Sequence, residues 1–244
     1  MRLRPEYFAC ALVAWVSGPR LESMKNALII GASGGIGDAV TQHLRGQGVD
    51  VTTLSRAADG FDVGNPASVD THLERLAGPF DLIFVAVGIL APLWGAPEKA
   101  LSAIKADDMA HVFAVNAIGP ALILRHAARL LPNDARGVVA TLSARVGSIG
   151  DNKIGGWHSY RASKAALNQI IHGAAIELGR SHKQSVCVAL HPGTVATPFT
   201  ADYAGRHKTV PAPEAAAHLL AVIEDLTPAQ SGGFYDYAGQ EVPW

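Results

Sequence analysis

The chain has 244 residues, enough to bury a large core within one α/β unit. Hydrophobic residues make up 49% and charged residues 17%, which excludes an intrinsically disordered chain. Twenty basic side chains against 21 acidic ones leave no surplus for a nucleic acid or an anionic membrane.

The ten histidines show no metal-ligand spacing, so no metal site is expected. The two cysteines lie far apart. Cys187 sits in the apolar run VCVAL and reads as a buried free thiol, which suits a reducing, cytoplasmic compartment.

Residues 1–23 combine Arg2 and Arg4 with an apolar stretch from Tyr7 to Val16. That stretch is too short to span a membrane as a helix, and no clear cleavage site follows. Residues 1–23 are read as an extension outside the fold, with a targeting segment or a packed arm as alternatives. Residues 24–244 then form one dinucleotide-binding domain.

Asn26–Ile30 reads as a fully buried parallel strand. The loop GASGGIG follows, with glycines at 31, 35 and 37. Such a loop turns a strand tightly into a helix, whose first N–H groups can receive a pyrophosphate. Ser33 and Ile36 lie within it and join the expected contacts. A plain strand–helix turn is the competing reading.

A helix through Asp38–Gln47 leads to a second strand, Val49–Leu54. Ser55 and Arg56 end it, where an acidic residue would hold a ribose 2′-hydroxyl in NAD-binding folds. A hydroxyl and a guanidinium suit a 2′-phosphate instead, so NADP(H) is preferred and NAD(H) remains possible. A solvated arginine is the alternative. Phe61-Asp62-Val63 is predicted as a short third strand, with Asp62 and Val63 meeting the adenine. Asp81–Val87 is a fourth strand, closed by Gly88.

Residues 89–106 form a rim loop containing Pro92, Trp94 and Pro97. Asp107 is the predicted N-cap of a helix reaching about Leu131, with a kink at Gly119-Pro120 and Asn116 inside it, where an asparagine either satisfies a buried carbonyl or serves a site. Gly137–Leu142 is a fifth strand that delivers Ser143. Tyr160 and Lys164 follow in a helical segment, where i and i+4 share one face. A lysine charge beside a phenol favours the phenolate and brings its pKa towards the working range. Ser143 can approach the same space and hold a substrate oxygen. A core tyrosine with a solvated lysine is the bland reading of Y-x-x-x-K alone.

Ser185–Leu190, a helix over Pro213–Leu226 and a strand at Gly233–Tyr237 complete the pattern. Phe199–Val210 is expected as a lid, in which Arg206 and Lys208 either clamp an anionic group or stand in solvent. Strands alternating with helices predict a doubly wound, Rossmann-like parallel sheet with helices on both faces.

Taken together, Gly31-x-x-x-Gly35-x-Gly37, Asp62, Asn116, Ser143, Tyr160-x-x-x-Lys164 and Pro192-Gly193 resemble the short-chain dehydrogenase/reductase family over residues 24–244. SARVGSIGDN and SYRASKAALN resemble its C-factor-like branch, named for a bacterial cell–cell signalling protein. The resemblance implies hydride exchange between a nicotinamide and a carbonyl or alcohol carbon, with Tyr160 as general acid/base. It also implies that Lys164 lowers the tyrosine pKa and binds the ribose, Ser143 holds the substrate oxygen and Asn116 orders a relay water. Pro192, Gly193, Val195 and Thr197 would contact the cofactor. The expected partners are a small carbonyl or alcohol substrate and further copies of the chain, as a homodimer or homotetramer. A signalling or regulatory dinucleotide-binding protein is the alternative.

Three positions depart from the family pattern. Val85-Ala86-Val87-Gly88 stands where the family has N-N-A-G, and Ile30 precedes the first glycine where many members have threonine. The loop between Ser143 and Tyr160 is also longer than usual, which brings Trp157 and His158 within reach of the pocket.

Overall fold

The computed structural model describes residues 24–200 and 209–244. Residues 1–23 and most of the expected lid, including Tyr203, Arg206, His207 and Lys208, lie outside them. Strand β1 (Asn26–Ile30) runs into α1 (Gly35–Gly46), then β2 (Asp50–Leu54), a single turn α2 (Arg56–Asp59) and α3 (Pro66–Glu74). Strand β3 (Leu82–Val85) leads through the rim loop to α4 (Ala106–Phe113), α5 (Gly119–Leu124) and α6 (Ala127–Leu130). Strand β4 (Gly137–Leu142) is followed by α7 (His158–Ser181), β5 (Ser185–His191), β6 (Val195–Ala196), β7 (Val210–Pro211), α8 (Ala212–Asp225) and β8 (Phe234–Asp236).

Six strands pair in parallel in the order β2-β1-β3-β4-β5-β8, while β6 and β7 form a separate two-stranded ladder. Alternation along the strands sends side chains to two cores. Ala27 and Ile29 pack with α1 and α8 on one face. Leu28 and Ile30 pack with α3, α5, α6 and α7 on the other. Each large aliphatic side chain buried here contributes about 1.5–3 kcal/mol, so the sheet is a rigid platform for the loops at its strand ends. Cys187 is buried and free, and burial pushes its thiol up to about 12, which keeps it unreactive at neutral pH.

Three sequence expectations need correction. Phe61-Asp62-Val63 is a loop, because local turn chemistry claims its polar groups. Asp62 Oδ1 accepts from Gly64 N at 2.9 Å, and Asn65 Oδ1 caps α3 through Ala67 N at 3.0 Å. Phe61 still enters the core, edge-on to His72.

Asp107 is not an N-cap. Helix α4 begins at Ala106 with Lys105 at the cap, and Asp107 lies in the first turn, where a negative charge suits the helix dipole. The expected kink is a π-helical stretch, Ala114–Ile118, between α4 and α5. Pro120 has no N–H to return to the Asn116 carbonyl. Wider bonding takes over, as in Gly119 N to the Ala114 carbonyl.

Candidate active site

The site lies at the C-terminal ends of the paired strands β1 and β3, where the strand order reverses, since β2 and β4 lie on opposite sides of them. Gly31 adopts a left-handed conformation (φ +89°), and a Cβ there would lie 2.5 Å from the Ala86 carbonyl oxygen. A Cβ on Gly37 would lie 2.2 Å from the Gly31 oxygen. These two glycines are therefore required by the turn's own packing. Gly35 faces the cavity, where a Cβ would meet Thr197 Cγ2 at 2.6 Å. No side chain caps α1. Its first N–H groups meet a cradle that a single methyl would fill, which fits a bound pyrophosphate.

A cavity of about 390 Å³ extends from this turn to Tyr160. It gathers Ser33, Gly35, Ile36, Gly37, Gly88, Ser143, Tyr160, Lys164, Pro192, Gly193, Val195 and Thr197. Ala86, Val87 and His191 also line it and were not anticipated, and Phe199, the first residue of the expected lid, joins them. For Ala86, Val87 and His191, their place at the ends of β3 and β5 was the available signal, because ligands gather at the carboxyl ends of parallel strands.

Lys164 is buried, and its Nζ donates to the Leu142 carbonyl at 2.9 Å. A Cβ on Gly88 would lie 3.4 Å from both that Nζ and Asn116 Oδ1, which places this turn directly against the two side chains. Burial pushes the Lys164 ammonium down to about 8 and raises the Tyr160 phenol above its ordinary value. Trp157 and Phe199 flank the Tyr160 ring at centroid distances of 6.3 and 6.2 Å.

Ser143 Oγ donates to Asn168 Oδ1 at 2.6 Å, and both side chains are buried. Asn168 was missed in the sequence, although it stands eight residues after Tyr160 and four after Lys164, in the same helical register. Asn116 is fully buried behind the cavity. Its side chain accepts from Ile89 N and donates to Ile89 O, both at 2.8 Å, and donates to Ser163 Oγ at 3.1 Å. That side chain is committed to bracing the exit of β3 against α7.

The residues expected to face an adenosine differ more from expectation. Ser55 is buried, and its hydroxyl caps α2 by accepting from Ala58 N at 3.1 Å. Asp59 folds back to accept from Ser55 N at 2.8 Å. Arg56 is exposed at the start of α2. Asp62 is exposed and Val63 packs against Gly119, both outside the cavity wall. Among the described residues there is no cluster of His, Cys, Asp or Glu able to hold a metal ion, and no helix long and apolar enough to cross a membrane.

A parallel sheet of this order, a glycine turn at its switch point and a buried Tyr–Lys pair define a Rossmann-like, dinucleotide-dependent oxidoreductase. The family model described as enoyl-(acyl carrier protein) reductase matches residues 31–228. The C-signal of Myxococcus xanthus is 39% identical over 170 residues, covering 68% of this chain and 94% of that protein. A 1-hydroxy-2-glutathionyl-2-methyl-3-butene dehydrogenase of Rhodococcus is 32% identical over 236 residues, covering 91% and 100%. Among solved structures, the NADPH-bound carbonyl reductase from chicken fatty liver superposes with a TM-score of 0.74 at 25% identity, covering 91% and 99%. The chain belongs to the short-chain dehydrogenase/reductase family.

Proposed function

We propose that the protein is an NADP(H)-dependent carbonyl reductase in which Tyr160 donates the proton. The observation that carries this reading is the buried Tyr160 phenol, which opens on the cavity beside Ser143 and Lys164. A phenol whose pKa is raised by burial stays protonated throughout the neutral range, the state required of a donor to a developing alkoxide. The opposite direction needs a phenolate, which the same burial disfavours.

NADP(H), when bound, supplies the hydride. The N-terminal amides of α1 at Gly35–Gly37 would hold its pyrophosphate, Arg56 its 2′-phosphate and Lys164 its nicotinamide ribose. Ser143 would turn its one hydroxyl proton from Asn168 Oδ1, where it rests, to the carbonyl oxygen as charge develops there. The largely apolar wall next to Tyr160, with Phe199 and Ala144, excludes water from that oxygen. The NADPH in the chicken enzyme supports the cofactor choice.

The test is NADPH oxidation against a panel of aldehydes, ketones and quinones, to which the Rhodococcus relative adds a glutathione-conjugated alcohol assayed with NADP⁺. Tyr160→Phe should lower kcat at least about 100-fold and leave NADPH affinity within about twofold. Wild-type turnover in Tyr160→Phe would sink the mechanism.

The likeness to the C-signal favours a second reading, a dinucleotide-binding signalling protein. Tight NADPH binding with no compound turned over would put that reading first.

A further inference from the structure

Helix α7 begins in a strained way. Gly155, Gly156 and Trp157 are successive left-handed residues (φ +68°, +65° and +50°), and Trp157, the residue before the helix, contributes no side-chain cap. A bulky residue in this conformation persists only where its surroundings hold it. The holding group comes from the rim loop, about sixty residues earlier in the chain.

Glu98 is 8% exposed. Its carboxylate accepts from Ser159 N at 3.2 Å and from the Ser159 hydroxyl, while its backbone carbonyl accepts from Trp157 N at 2.5 Å. Burial works to raise the carboxyl's pKa, yet hydrogen bonds from Ser159 and backbone amides bring it below the usual range, so it is ionised at neutral pH. Arg161 completes the clamp from within the helix, donating to the Gly155, Gly156 and Val146 carbonyls at 3.0–3.3 Å.

We propose that Glu98 is a positioning residue for the reaction: it caps α7 from the rim loop and thereby holds Tyr160 against the cavity. The inference rests on the reading of Tyr160 as proton donor. Tyr160 belongs to the first turn of α7, which has no other side-chain cap at its start, and fraying is confined to such end turns. Lys164 lies a turn further in, anchored on Leu142. Loss of the cap should therefore disturb the proton donor and spare the cofactor site.

The experiment uses the full chain and its Glu98→Ala, Glu98→Gln and Ser159→Ala variants. Hydrogen exchange of residues 157–163 is read first, since it needs no substrate. In Glu98→Ala, exchange there should quicken by about 10-fold or more, with α8 unchanged. For the carbonyl compound turned over fastest by the wild type, kcat should fall about 10-fold and the NADPH Kd stay within about twofold. Glu98→Gln still presents an acceptor to Ser159 and should restore both readouts. Ser159→Ala, which keeps the backbone amide bond, should show a smaller change in the same direction, even if Glu98→Ala fails to fold. Unchanged exchange in Glu98→Ala, or parallel losses in exchange, kcat, Kd and melting temperature, would overturn the proposal. If Tyr160→Phe retains turnover, the proton-donor reading fails while the exchange result still reports on the cap.

Discussion

Lys164 Nζ donates 2.9 Å to the carbonyl oxygen of Leu142, the residue immediately before Ser143. The bond ties α7 to the end of β4, so the three candidate side chains are held by one junction between a helix and a strand. It also keeps an ammonium in a buried site, where the charge is costly.

The first prediction follows from that cost. The Lys164 pKa is about 8 in the fold, against an ordinary value of 10.5. Between those values the unfolded chain holds more protons, so stability should rise with pH across that window and be poorest below about pH 8. The ammonium itself is lost as pH rises through about 8. NADPH should therefore bind more weakly from pH 7 to 9.5 in the wild type, and with little pH dependence in Lys164→Met. A flat wild-type Kd over that range would refute this role for the lysine.

Cofactor choice is the second. Arg56 is the exposed cation at the end of β2, while the Ser55 hydroxyl is spent on capping α2. Arg56→Ala should weaken NADPH roughly 10- to 100-fold and leave NADH nearly unchanged. Ser55→Ala should lower stability with little effect on the ratio of the two affinities. Equal losses of NADPH and NADH in Arg56→Ala would count against a 2′-phosphate contact.

The third concerns the glycine turn. Gly37→Ala places a methyl 2.2 Å from the Gly31 oxygen, a backbone atom that cannot yield without moving the turn. A cost of about 1–3 kcal/mol is expected, read as a melting temperature lower by roughly 2–12 °C, together with weaker NADPH binding. Gly46→Ala, at the other end of α1 with nothing within 4 Å, should hold or slightly raise the melting temperature. Equal behaviour of the two variants would contradict the packing argument.

The fourth isolates Asn168. Asn168→Ala leaves the Ser143 hydroxyl without its acceptor, and kcat should fall about 10-fold with NADPH affinity unchanged. If Asn168 acts through Ser143, the double variant with Ser143→Ala should be no slower than Ser143→Ala alone. Additive losses would place its role elsewhere.

Much of the architecture was legible from local pattern. Unbroken apolar runs announced the parallel strands, glycine spacing announced the turn after β1, and the four-residue step from Tyr160 to Lys164 announced a shared face. Each of these is a pattern written in neighbouring residues, which the sequence shows by itself. What it could not decide depends on groups distant along the chain. Phe61–Val63 has strand-like composition, but its polar neighbours close turns and start α3. Asn116 reads as satisfying a buried carbonyl or serving a site, and only the fold names its partner, Ile89, 27 residues away. Ser55 stands where a phosphate ligand would, but Ala58 and Asp59 occupy its groups. Glu98 carries no local signal, and only the fold brings it to Ser159, 61 residues on. Only tertiary structure decides such cases, because a buried polar group takes whichever partner packing brings within reach.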